Sequence, residues 1–141
     1  MKFWDSSAVV PLLAQEISSK NVNALFRNDP SIMAWWATVI ECTSAITRRE
    51  REGALDAFGV EEALRRLRRL QSGWQEIQPT DALRDLAVRL LRVHSLNAAD
   101  SLQLAAAIHT SENRPSSLDF VCLDAKLAAA AEREGFNVLS G

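Results

Sequence analysis

The stretch Lys2-Phe3-Trp4-Asp5-Ser6-Ser7-Ala8 constrains the fold more than any other. Three residues that suit a strand run directly into an acid, and hydroxyl residues that suit a helix start follow at once. A strand that passes straight into a helix belongs to a crossover unit, and crossovers build parallel sheets. The same change of pattern recurs. Ser31-Ile32-Met33-Ala34-Trp35 is a short, mostly apolar run after the turn signal Asn28-Asp29-Pro30. Phe120-Val121-Cys122-Leu123 is another, and it runs into Asp124.

The remaining segments fit between these strands. A helix is predicted to follow the first strand as far as Leu13, capped by Ser6 or Ser7, with Pro11 kinking it or marking its first turn. A second spans Ser18 to Phe26. A third runs from Ala37 to about Glu52, where Gly53 stops it. Residues 56–72 form a fourth, with Ala63, Leu64, Leu67 and Leu70 on one face and arginines on the other. Trp74 to Ile77 reads as a short strand. Thr80 or Asp81 then caps a helix carrying Leu83, Leu86, Ala87, Leu90 and Leu91 at helical spacing. Asn97-Ala98-Ala99-Asp100 opens an alanine-rich helix to about His109, and a polar loop occupies 111–117. A last helix runs from Asp124 to Glu134 with Gly135 as its C-cap, and residues 137–139 are a last strand. Strands alternate with helices throughout, which predicts an α/β fold with a central parallel sheet covered on both faces. At 141 residues the chain suits one domain, 1–141.

The composition is that of an ordinary globular protein, 48% apolar and 24% charged. No apolar run approaches the roughly 20 residues of a membrane span, and no leader precedes the first strand, so a cytoplasmic location is expected. Cys42 and Cys122 lie far apart without ligand spacing and read as buried thiols. The net charge of −2 argues weakly against a nucleic-acid partner. Its distribution argues the other way. Arginines gather at 48–51 and 65–69, where they suit phosphates or a protein partner, against a solvated face with Glu50, Glu52, Glu61 and Glu62 interspersed. Trp4 reads as core. Trp35 and Trp36 are adjacent, so one faces the core and the other an interface or a base. His94 and His109 show no ligand spacing and read as structural.

Four acids stand out. Asp5 and Asp124 each follow an apolar strand and precede a helix, so both should point to the edge where open α/β sheets bind ligands. Asp100 lies in the first turn of its helix, where the dipole favours an anion. Glu41 interrupts Val39-Ile40-Glu41-Cys42 on a core-facing helix, with small Ala37 and Ala45 one turn away. Plainer roles exist for each: caps for Asp5 and Asp124, a dipole partner for Asp100, an ion pair with Arg48 for Glu41. Asp119, at the leading end of its strand, reads as a solvated turn residue. Drawn together, the four would repel, and a divalent cation removes that penalty. Hard oxygen ligands suit Mg²⁺ or Mn²⁺, which activate water and offset charge on a phosphodiester.

The segments Phe3-Trp4-Asp5-Ser6-Ser7-Ala8, Trp35 to Ala45, Asn97 to Ala105 and Phe120 to Asp124 together resemble the PIN-domain family, and within it the VapC-type ribonuclease toxins of toxin–antitoxin pairs. The likeness spans essentially the whole chain in order. It implies a three-layer α/β/α fold and a Mg²⁺- or Mn²⁺-dependent endoribonuclease cleaving RNA. It implies that Asp5, Glu41, Asp100 and Asp124 form the metal site, with Asp5 and Asp100 the surest ligands. A homodimer and a cognate VapB-type antitoxin that blocks the pocket are also implied. Ser6 and Ser7 match the hydroxyl positions that follow the family's first acid. Cys122 departs from the Ser or Thr usual at its position and is a poorer donor to water or substrate. Two other readings stand beside this one: an inactive PIN-like scaffold that binds a protein partner, and another Asp-based phosphate chemistry, such as an aspartyl phosphatase or a phospho-acceptor domain. The second lacks the further acid expected two residues after Asp5.

Overall fold

A computed structural model of the chain describes residues 1–140. Five strands form one sheet: β1 (Lys2–Trp4), β2 (Ile32–Trp35), β3 (Gln75–Ile77), β4 (Asp119–Val121) and β5 (Asn137–Leu139). Their order is β3-β2-β1-β4-β5 and every pairing is parallel. Seven helices connect them: α1 (Ser6–Leu13), α2 (Ser19–Asn28), α3 (Thr38–Arg51), α4 (Ala57–Gly73), α5 (Asp81–Val93), α6 (Ala98–Thr110) and α7 (Ala125–Arg133). The α/β alternation is therefore the expected one. A short 3₁₀ turn, Pro115–Ser117, lies within the expected loop.

Side chains on a strand alternate between faces, and here that alternation divides the core in two. Phe3, Trp35 and Phe120 point to one side and pack with Leu83, Leu90, Leu104 and Leu127 of α5, α6 and α7. Trp4, Ala34 and Val121 point to the other and pack with Val9, Leu13, Val22, Ile46 and Leu67 of α1 to α4. The result is three layers. The stripe on α5 is buried at Leu83, Ala87 and Leu90, whereas Leu91 is exposed. Of the two adjacent tryptophans, Trp35 is core and Trp36 is 44% exposed. Cys42 and Cys122 are free and buried. His94 closes the end of α5 onto α7 through Glu134, 2.6 Å away.

Several local expectations differ from the structure. The cap of α1 is Asp5 and not Ser6 or Ser7: its carboxylate accepts from the Ser7 amide. Asp5 has the extended backbone that a cap requires (φ −81°, ψ 168°), whereas Ser6 and Ser7 already lie within the helix. Pro11 lies inside α1. The α2 helix runs two residues beyond Phe26, because the Asp29 amide still finds the Leu25 carbonyl. Asp119 is a paired residue of β4, and its carboxylate accepts from Asn137 Nδ2.

Candidate active site

The chain reaches β2 on one side of β1 and β4 on the other, so the strand order switches between β1 and β4. A crevice opens at the carboxyl ends of strands around such a switch. Asp5 and Asp124 stand there. Asp5 leaves β1 directly, its amide donating to Val121 O of β4 at 3.2 Å. Asp124 follows β4 and caps α7, accepting from the Leu127 amide at 2.9 Å. The cap role weighed for both acids is therefore real. A carboxylate has lone pairs to spare, so a cap remains free to accept elsewhere.

Asp5 is the most constrained of the four. It is 2% exposed. Ser7 grips it twice, amide to Oδ2 and hydroxyl to Oδ1 at 2.8 Å, while the Leu123 amide donates to that same hydroxyl. Ser7 thus ties the end of β1 to the segment after β4. Burial raises the Asp5 carboxyl to about 7; hydrogen bonds from Ser7 and Cys122 oppose the rise and the charge of Asp100 adds to it. The Cys122 thiol is buried, donates to Asp124 O, and is pushed far above its ordinary range by that burial.

Glu41 projects from the first turn of α3. Ser6 Oγ donates to its Oε1 at 2.9 Å and Gln103 Nε2 to its Oε2 at 3.2 Å. These contacts replace the alternative pairing with Arg48, which lines the same opening without an ion pair to Glu41 among the described residues. Burial raises the Glu41 carboxyl against those two hydrogen bonds, and Asp100 raises it further. Asp100 sits on α6, whose cap Asn97 accepts from the Asp100 amide at 2.8 Å. Its carboxyl is raised by burial and then by the charge of Asp124.

Ser6, Ser7, Glu41, Ala45, Arg48 and Asp100 line one open cavity of about 460 Å³. Ala45 lines this cavity beside Glu41 and also packs against the core under α1 to α4, whereas Ala37 packs against the other core. None of the four acids forms an ion pair among the described residues, although each of three is raised by a neighbouring acid. Like charges held within range of one another, with no ion pair to offset them among the described residues, carry a cost that a bound cation would remove. No three His, Cys, Asp or Glu side chains among the described residues form a ready-made ligand cluster. The carboxylates of Asp5, Glu41 and Asp124 are instead held separately by protein donors of their own. That arrangement suits an ion that keeps much of its water and takes one or two carboxylates directly, as Mg²⁺ does.

Two residues of the site escape a reading of the acids alone. Gln103 is hidden within an alanine-rich run, and only its place three residues after Asp100, on the same helix face, signals it. Ser6 is visible as a hydroxyl, but its partner Glu41 lies 35 residues away.

The arginine clusters divide. Arg49 pairs with Glu16, Arg65 with Glu62, and Arg66 donates to Leu13 O at 3.0 Å. Arg48 and Arg51 are exposed on α3.

A parallel five-stranded sheet layered between helices, with acids gathered at its switch point, defines a three-layer α/β architecture with an acidic crevice. The PIN domain profile matches residues 2–119, and the chain belongs to the PIN-domain family. No curated protein sequence matches it. Solved structures do. VapC20 of Mycobacterium tuberculosis, a sarcin–ricin-loop-cleaving toxin, is similar with a TM-score of 0.70 at 18% identity, covering 96% of each chain. FitAcB of Neisseria gonorrhoeae has a TM-score of 0.68 at 15% identity, over 99% of this chain and 97% of that one. A toxin–antitoxin complex of Klebsiella pneumoniae has a TM-score of 0.64 at 17% identity, with the same coverage. At these identities the likeness is one of fold.

Proposed function

We propose that this protein is a Mg²⁺- or Mn²⁺-dependent endoribonuclease and the toxin of a toxin–antitoxin pair. The observation that carries the reading is Asp5: a carboxylate almost fully buried at the sheet switch point, raised by burial and by Asp100, with no ion pair among the described residues. A purely structural cap gains nothing from such an environment. The fold similarity to VapC20, a sarcin–ricin-loop-cleaving toxin, supports the substrate class.

In this reading Asp5, Glu41, Asp100 and Asp124 hold the metal. When bound, it lowers the pKa of water and offsets the charge that builds on the phosphodiester. The chain's own part is placement. Ser7 fixes both oxygens of Asp5, Ser6 fixes one oxygen of Glu41, and Asn97 sets the turn that carries Asp100. Arg48, on the wall of the same cavity, suits a phosphate of the strand being cut. The cognate partner is a VapB-type antitoxin that covers this opening, and the active form is a homodimer.

The test is cleavage of RNA by purified protein with Mn²⁺, with EDTA, and with Asp5→Ala or Asp100→Ala. Cleavage in Mn²⁺ that stops in all three controls is expected. Activity that survives EDTA or either substitution removes the carboxylates from the chemistry. Overproduction of the chain alone should arrest growth, and co-expression of the partner should relieve it. Normal growth of cells holding soluble protein would refute the toxin role.

A further inference from the structure

We infer that Gln103 is a positioning residue that holds Glu41 toward the metal, an inference resting on the proposed nuclease reading. Gln103 is fully buried in α6, among Leu104, Ala105 and Ala106 of its own helix. Its Nε2 donates to Thr38 Oγ1 at 3.0 Å and to Glu41 Oε2 at 3.2 Å. Its Oε1 is buried and meets no protein donor among the described residues. A buried amide kept only for structure is normally satisfied at both ends, because an orphaned acceptor costs stability. Turning the amide over would bring Oε1 against the oxygens of Glu41, so the carboxylate fixes which end points to it.

The geometry gives that orientation a purpose. Thr38 opens α3 and Glu41 lies one turn later, so the single NH₂ group of Gln103 spans the first turn of α3 from α6. Gln103 also follows Asp100 by three residues and shares its helix face. One side chain therefore sets the spacing between the helix that carries Asp100 and the carboxylate of Glu41. Ser6 restrains the opposite oxygen of Glu41, and the two donors together leave the carboxylate little freedom to rotate. Groups that orient a metal ligand without touching the metal typically change affinity 10- to 100-fold when removed.

The experiment is a calorimetric titration of the full chain with Mn²⁺ alone, with melting temperature measured on every sample. Gln103→Met keeps the volume and removes the donor. Thr38→Val removes the far anchor of the amide and leaves Gln103 in place. Ile108→Val trims a buried side chain on the same helix, away from the site. Gln103→Met should weaken Mn²⁺ binding about ten-fold or more, Thr38→Val should weaken it in the same direction, and Ile108→Val should leave it unchanged. Wild-type affinity in Gln103→Met, or an equal loss in Ile108→Val at a similar drop in melting temperature, overturns the inference. If Gln103→Met does not fold, Thr38→Val against Ile108→Val decides by the same comparison. A wild-type chain that binds no Mn²⁺ overturns the proposed function as a whole, whereas wild-type binding with intact affinity in the variants overturns the role of Gln103 alone.

Discussion

Asp5 serves the fold and opposes it with the same carboxylate. As a cap it anchors α1, yet burial makes its charge expensive. In the metal-free protein its carboxyl titrates at about 7, against about 3.9 in an unfolded chain. A raised carboxyl favours folding fully below the unfolded value, and that contribution is lost as pH rises through 7. Three pH units correspond to about 4 kcal/mol at most. Asp5→Asn keeps a capping oxygen and removes the charge. In EDTA, the variant and the wild type should melt together near pH 4 and separate progressively toward pH 8, with the variant more stable. Parallel curves would show that this carboxyl is not the strained group. The same variant should lose RNA cleavage by more than the roughly 10- to 100-fold typical of groups that only orient a ligand. Greater stability with less activity is the mark of a group strained for function.

At the scale of elements, the acids are delivered by helix starts. Asp5 caps α1, Asp124 caps α7, and Asp100 and Glu41 ride in the first turns of α6 and α3. Cap and ligand roles separate by chemistry. Asp124→Asn preserves the acceptor that meets the Leu127 amide, whereas Asp124→Ala removes it. Asp124→Ala should therefore lose about 1 kcal/mol of stability that Asp124→Asn retains, while both lose activity. Equal melting temperatures for the two would show that the cap contributes nothing. Asn97→Ala should cost a similar 1 kcal/mol or so, and it should also impair cleavage, because Asn97 fixes the turn that carries Asp100.

Across the whole molecule, one thin sheet divides two cores, and the central strand contributes to both. Trp4 is fully buried and fills the core beneath α1 to α4. Trp4→Ala should cost roughly 3–5 kcal/mol, enough to unfold much of a marginally stable domain. Trp36→Ala, at an exposed position, should change stability by less than about 0.5 kcal/mol. Denaturant titration distinguishes the two. Ligand binding acts at this scale as well. Mn²⁺ at a hundred times its Kd should stabilise the wild type by about 2.7 kcal/mol, and it should raise the melting temperature of Asp5→Asn far less. Chelation with EDTA should reverse the shift.

The sequence by itself determined the elements and the class of fold. Strand runs, helix stripes, turn signals and acids at element boundaries are local patterns, and backbone geometry turns them into structure over a few residues. Asp5 and Asp124 were legible for this reason, since each marks the end of a strand. Tertiary structure decided what each acid touches. That Glu41 meets Ser6 and Gln103 rather than Arg48 depends on how α3 and α6 pack onto opposite faces of the sheet. So does the division of the adjacent tryptophans, one into the core and one into solvent. Contacts between residues 35 and 62 positions apart leave no local pattern, because they are set by the packing of whole layers and not by the neighbours along the chain.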